Sequence, residues 1–155
     1  MAETSRRLVL WVPIVAAWCA LCGLFSAAEA ASTNNEPRIA LDGYDPVAYF
    51  TDCRPVKGSQ EFTFAFDGAV YYFKSAEHRT MFAADPDRYA PQYSGYCAIS
   101  VSMGKKVRAD PEAWIISDGK LFVFGAKEGV PNFAQDSAAI VRQADAEWPT
   151  VRNSP

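Results

Sequence analysis

Imidazole and thiol do most of the side-chain chemistry available near neutral pH, and this chain carries few of either. Its 155 residues include one histidine, His78, and four cysteines. Cys19 and Cys22 fall in an apolar N-terminal run, which leaves Cys53 and Cys97 for the rest of the chain. A thiolate paired with an imidazole suits Cu(I) and Zn(II), and a thioether shifts the preference towards copper. His78 and Cys97 are therefore the candidate metal ligands, and Met103, six positions after Cys97, is the candidate third. A helical His78 and a loop Cys97 can converge if the chain turns back at Pro91. Plainer roles compete with this one. A single helical histidine can simply hydrogen-bond a tyrosine, and a methionine often only packs. In an oxidising compartment Cys53 and Cys97 can also pair. Such a bridge would add roughly 3–4 kcal/mol in the loop-entropy description. With one histidine, nucleophilic catalysis reduces to a Cys97–His78 pair, and the chain is read as a non-enzyme. Asp42 and Asp45, three apart around Gly43 and Tyr44, could act as paired carboxylates, but turn formation and helix capping account for them.

The first thirty residues read as an export address. Arg6 and Arg7 precede 18 uncharged residues from Leu8 to Phe25, and Ala28-Glu29-Ala30 gives an A-x-A cleavage pattern. Ser5-Arg6-Arg7 before Leu8 also resembles a twin-arginine signal. Eighteen apolar residues sit at the lower limit for a membrane span, so an uncleaved anchor is the alternative. In either case the remainder is exported, to a periplasm or medium, with membrane contact only through residues 8–25. Removing 30 of the 155 residues leaves 125; Lys+Arg falls from 15 to 13 and Asp+Glu from 18 to 16, so the net charge stays −3. That balance argues against a nucleic-acid partner. A chain of this length buries one core without staples.

The elements that must position His78 and Cys97 can be read in outline. Residues 31–38 form a polar leader, and a domain spans 39–148 with a tail from 149 to 155. Asp45 caps a short turn opened by Pro46. Phe62, Phe64 and Phe66 alternate on one face of a strand, and Asp67-Gly68 turns it into a second strand over 69–73. Ser75 caps a helix from Ala76 to Ala84 that puts His78 and Phe82 on one face. Asp85-Pro86 ends it and starts another turn through Tyr89. Residues 91–95 read as irregular, Tyr96–Val101 as a strand or short helix, and Gly104–Asp110 as a basic loop. Trp114–Ser117, Asp118-Gly119 and Lys120–Phe124 make a second hairpin. Phe133, Ile140, Val141, Ala144 and Trp148 mark a final helix opened near Pro131 and closed by Pro149. The sum is a small α+β domain: two β-hairpins, a short central helix and a C-terminal helix behind a signal peptide. No internal repeat, phosphate loop or Cys-x-x-Cys is apparent.

The run Tyr71-Tyr72-Phe73-Lys74-Ser75-Ala76-Glu77-His78-Arg79, with Phe82, Asp85-Pro86 and Tyr89 after it, resembles the core of a YHS domain. Asp45-Pro46-Val47 upstream is similar to that family's Asp-Pro-Val opening. Pro91 to Ala98, Gly104-Lys105-Lys106 and Asp110-Pro111-x-x-Trp114 are similar to its longer exported subgroup. The resemblance implies soft-metal handling, with copper first and zinc as the alternative, and a metal-transport protein or metalloprotein as partner. Compact members carry cysteines at positions held here by Ala48, Lys74 and His78, so two of the three thiols are absent. Cys97 is then the subgroup's own thiol, whereas Cys53 stands where the subgroup has glycine, which argues against a built-in bridge. Tyr89, Tyr93 and Tyr96 beside Cys97 could line a pocket that shields a metal or docks a partner. The competing reading is a non-catalytic interaction module without metal.

Overall fold

The computed structural model describes residues 37–154, which belong to one compact unit spanning residues 36–155. The expected signal peptide, and all of the leader but its last two residues, lie outside the described residues. The chain opens with β1 (Arg38–Ile39) and a tight turn. It continues through α1 (Ala48–Thr51), β2 (Ser59–Phe66), β3 (Ala69–Phe73), α2 (Ala76–Ala84) and α3 (Pro86–Tyr89). After a second tight turn come α4 (Ala98–Ser102), β4 (Asp110–Ser117), β5 (Lys120–Phe124), α5 (Gly129–Gln135) and α6 (Ser137–Val151). One sheet has the order β1-β3-β2, with β1 parallel to β3 and β2 antiparallel to it, and the second is the β4-β5 hairpin. The α+β class and both hairpins stand as expected from the alternating aromatics and the two Asp-Gly turns. Asp67-Gly68 and Asp118-Gly119 all have positive φ, the conformation a two-residue hairpin turn requires.

The expectation of no repeat is overturned, because the domain is built from two copies of one unit. The first hairpin pairs Ser59 with Phe73, Thr63 with Tyr72, Phe64 with Tyr71, Ala65 with Val70 and Phe66 with Ala69. Adding 51 to each number gives the pairing of the second hairpin: Asp110–Phe124, Trp114–Val123, Ile115–Phe122, Ile116–Leu121 and Ser117–Lys120. The register shift after the first pair falls at the same place in both, Ser59/Thr63 and Asp110/Trp114. A bulge of this kind adds twist and re-aims a strand, so its repetition gives the two hairpins one shape. Upstream, the parallel pairing Ile39–Val70 is matched by the bridge Pro91–Leu121, and the bridge Tyr44–Lys57 by Tyr96–Arg108. The Asp45 N–H bonds the Val56 carbonyl at 2.8 Å, and the Cys97 N–H bonds the Val107 carbonyl at 2.9 Å.

Each copy opens on the same strained turn. Leu41, Asp42 and Gly43 have φ of 48, 47 and 81°, and Tyr93, Ser94 and Gly95 have 54, 51 and 79°. Left-handed backbone costs a non-glycine residue about 1–2 kcal/mol, so tertiary contacts must hold these turns. Burial supplies them. Leu41 packs with Tyr49, Leu121 and Val123, where the copies meet, and Tyr93 packs in the core of the second copy. The first copy has its own core, including Val47, Tyr71, Phe73, Phe82 and Tyr89, and the second has Cys97, Val101, Phe122, Phe124, Phe133 and Ala144.

Two further readings change. The final helix is two helices, because Asp136 has non-helical backbone (φ −150°, ψ 58°) and its carboxylate caps α6 by accepting the Ala139 N–H at 3.2 Å. Pro149 does not end α6, which continues to Val151. A proline in the last turn removes one N–H bond, and the buried Val151 side chain keeps the end of the helix docked on the core. The stretch expected as a tail therefore contributes a core residue. The ambiguous segment 96–101 resolves as α4.

Candidate functional site

Asp45 follows the first left-handed turn, and its side chain is fully buried. Three elements converge on its carboxylate. One oxygen accepts the N–H groups of Val47 (2.8 Å) and Ala48 (3.4 Å), at the start of α1. The other accepts the Lys74 N–H at 2.9 Å, just past the end of β3, and faces His78 Nδ1 at 2.8 Å. The Asp45 capping expected from sequence is thus present, and it is part of a larger network. Ser75 caps α2 as expected, accepting the His78 N–H at 3.2 Å, and this places His78 in the first turn facing inward. His78 is 6% exposed. A carboxylate on Nδ1 fixes the ring orientation and, in the neutral ring, takes the proton on that nitrogen, so that the neutral tautomer carries its lone pair on Nε2.

Nε2 points at the rim of the network. It lies 3.5 Å from Thr51 Oγ1. Thr51 also lies 3.2 Å from the Val47 carbonyl and 3.0 Å from Asp52 Oδ1. Asp52 pairs with Lys74 Nζ at 2.6 Å, and the Lys74 hydrogen bond, with that of Thr51 behind it, holds its carboxyl below the usual range. Cys53 follows directly, exposed and free.

Asp45, His78 and Thr51 have the order of a nucleophile triad, but the geometry does not activate the hydroxyl. Its single proton has two acceptors closer than Nε2. The helix-start N–H groups that could stabilise an oxyanion are already bonded to Asp45. What this arrangement offers is an oriented imidazole with one open nitrogen beneath a polar rim.

The other predicted site residues lie elsewhere. Cys97 is buried in the core of the second copy with Tyr93, Val101 and Phe122. No hydrogen bond among the described residues links it to His78. Met103 is 59% exposed at the end of α4. Both Cys53 and Cys97 are free thiols, one on the surface of the first copy and one in the core of the second. Among the described residues no group of three or more His, Cys, Asp and Glu side chains forms a metal cluster. Of the three tyrosines, Tyr93 and Tyr96 both pack on Trp148, at 5.8 and 6.3 Å between centroids, and Tyr89 belongs to the core of the first copy. Tyr89 packs edge-on against Phe50 in the first copy (5.4 Å between centroids). Tyr93 donates to Asp145 at 2.9 Å, and burial followed by that bond pushes its hydroxyl well above the ordinary range. Tyr96 is half-buried beneath the Arg38 and Lys106 side chains. Sequence reasoning singled out Asp45 and His78 separately and missed that they are partners, being 33 residues apart.

The second copy shows what the fold requires. Cys97 occupies the place of Asp45, and Gly125 that of Lys74; a Cβ at Gly125 would lie 4.0 Å from the Cys97 sulfur. The position 51 after His78 is Gly129, where a Cβ would come within 2.6 Å of Phe124 Cβ. The second copy therefore builds the same turn and the same bulged hairpin with neither the carboxylate nor the imidazole.

No protein-family model matches the chain, and neither a curated protein nor a solved structure does.

Proposed function

We propose that this chain is an exported, non-catalytic protein of YHS type that holds a soft metal ion, copper before zinc, at Nε2 of His78. The observation that carries the reading is the confinement of the buried Asp45–His78 pair to one copy of a repeated unit. A buried ionisable pair gives weak net stability compared with apolar packing, and the second copy builds the same unit without one. The fold does not require the pair, which leaves it free for a role in binding. A histidine that binds a metal through one nitrogen commonly gives the other to a carboxylate, as His78 does. The exposed thiol nearest this network in sequence is Cys53, two residues beyond Thr51, and an imidazole with a thiolate suits Cu(I). Cys97 is outside this site and fills the core. The physiological partner in this reading is a metal-transport protein or a metalloprotein.

Titration with Cu(I), and separately with Zn(II), tests it. One equivalent should bind, with loss in His78→Gln, clear weakening in Cys53→Ser, and no change in Cys97→Ser. Asp45→Asn should weaken binding about 10–100-fold by releasing the ring. Circular dichroism shows whether each variant is folded. Binding that survives His78→Gln would remove His78 as the ligand. Absence of binding in the folded wild type would favour the interaction module, a reading supported by the dispersal of His78, Cys97 and Met103.

A further inference from the structure

The two copies meet along their left-handed turns, and that junction gathers positive charge. Tyr44 and Tyr96 are equivalent residues, and each carries cations. Lys57 Nζ lies 4.0 Å from the centre of the Tyr44 ring, while Arg38 and Lys106 lie 4.9 and 5.4 Å from that of Tyr96. Arg108 crosses from the second copy to pair with Asp42 in the first, and Lys57 Nζ donates to the Asp42 carbonyl at 3.0 Å. Asp42 is the one carboxylate within this set. Asp67, further along, is paired with Arg152, Glu147 lies beside Gly104, and Lys106 Nζ donates to the Arg152 and Ser154 carbonyls at 3.1 and 2.7 Å. A protein of net charge −3 thus carries a local positive excess, extended by the exposed Lys105.

The apolar surface points to the same place. Three large hydrophobic residues are exposed among the described residues: Ile39 (41%), Met103 (59%) and Val107 (43%). Val107 stands between Lys106 and Arg108 and Met103 opens the same loop, whereas Ile39 is on the opposite face of β1 from Arg38, beside Gly43. Cations interleaved with exposed apolar side chains match the interface of a bilayer bearing anionic lipids.

We propose that this face, centred on Arg38, Tyr96 and the loop 103–108, docks on an anionic phospholipid surface. Bilayer is favoured over an acidic protein by where the chain leads. Twelve residues, 26–37, separate Phe25 from Arg38, a reach of at most about 40 Å. While the apolar run Leu8–Phe25 is in a membrane, that tether holds the face at high effective concentration over the headgroups. The proposal rests on the uncleaved-anchor reading of residues 8–25 and is independent of the metal at His78.

The full chain should be reconstituted into vesicles of phosphatidylcholine, with and without phosphatidylglycerol, and deuterium uptake followed by peptide. Residues 103–108 should exchange more slowly in the anionic vesicles, and high salt should remove the difference. Lys105→Ser, at an exposed side chain, should weaken docking by roughly fivefold, with unchanged thermal melting. His78→Gln should leave docking intact, which separates this proposal from the metal reading. Equal uptake in the two vesicle types would overturn it. Protection by soluble polyglutamate with none from phosphatidylglycerol would overturn it in favour of an acidic protein. A chain that fails to remain with neutral vesicles would overturn it together with the anchor reading of residues 8–25.

Discussion

The first copy closes its turn over a carboxylate, and the second closes the same turn over a thiol. Around Asp45 the chain gathers two helix-start N–H groups, a strand-end N–H and an imidazole. Around Cys97 it gathers Tyr93, Val101 and Phe122. Pairing register, bulge and turn conformation are the same. One backbone plan thus tolerates two opposite ways of filling its centre, and the polar way leaves a group with an open nitrogen. Polar satisfaction and apolar packing are alternative solutions at one site, and the first of them also carries chemistry.

The largest test of this contrast is truncation of the two centres. Asp45→Ala strands an imidazole and three N–H groups, and should cost about 3–5 kcal/mol of unfolding free energy in urea. Cys97→Ala removes one sulfur from an apolar core and should cost about 1–2 kcal/mol. Equal losses would mean that the Asp45 network adds nothing beyond packing.

Alkali should reach both copies. Burial pushes the Tyr71 hydroxyl up to about 12 from an ordinary value of 10.0, and raises Tyr49 and Tyr93 as well. Below pH 10 all three are protonated whether the chain is folded or not. Between pH 10 and about 12 the unfolded chain sheds the Tyr71 proton while the folded one keeps it, so stability falls as pH rises. The loss from Tyr71 is on the order of 2–3 kcal/mol by pH 12. Melting temperature against pH should be flat up to pH 10 and fall steeply above it.

A smaller effect asks whether the turns are equivalent. Gly43 and Gly95 both have φ near +80°, and a Cβ at either would sit 3.2–3.3 Å from a neighbouring side chain. Gly43→Ala and Gly95→Ala should each cost about 1–2 kcal/mol, and costs that differ widely would break the equivalence. The smallest effect is at Tyr71, whose buried hydroxyl has no hydrogen-bond partner. Tyr71→Phe should leave stability unchanged or raise it by up to about 1 kcal/mol at neutral pH, and should shrink the alkaline loss.

Much of the architecture was legible because its signals are local. Alternation of Phe62, Phe64 and Phe66, the two Asp-Gly turns, and Ser75 before Ala76 each act within a few residues. The repeat was not legible, since its identities are scattered: Gly43-Tyr44 with Gly95-Tyr96, Val56 with Val107, Glu61 with Glu112, Asp67-Gly68 with Asp118-Gly119, Phe73 with Phe124, Glu77 with Glu128, Phe82-Ala83 with Phe133-Ala134, and Asp85 with Asp136. A comparison of the chain with itself at offsets of 51 and 52 would have found those. The left-handed turns were hidden because Leu41, Asp42, Tyr93 and Ser94 carry no glycine-like mark, and burial rather than local preference holds them. For the same reason Asp45 and His78 could be identified one at a time but not as a pair. Their partnership depends on the β2–β3 hairpin returning the chain to the Asp45 turn, a tertiary event with no sequence spacing of its own.

The Asp67-Gly68 turn has a topological consequence. Arg38, at the start of the described chain, pairs beside it with Ala69, and Arg152, near the end, bonds the Asp67 carboxylate. Both termini of the fold are thus secured at one hairpin tip, and the exposed Ala84-Asp85 connection between α2 and α3 lies just before the junction of the copies. A chain cut there and rejoined through a short linker from residue 154 to residue 37 would run the second copy before the first. Neither hairpin would be interrupted, and each copy would keep its own core, so the domain meets the conditions for circular permutation.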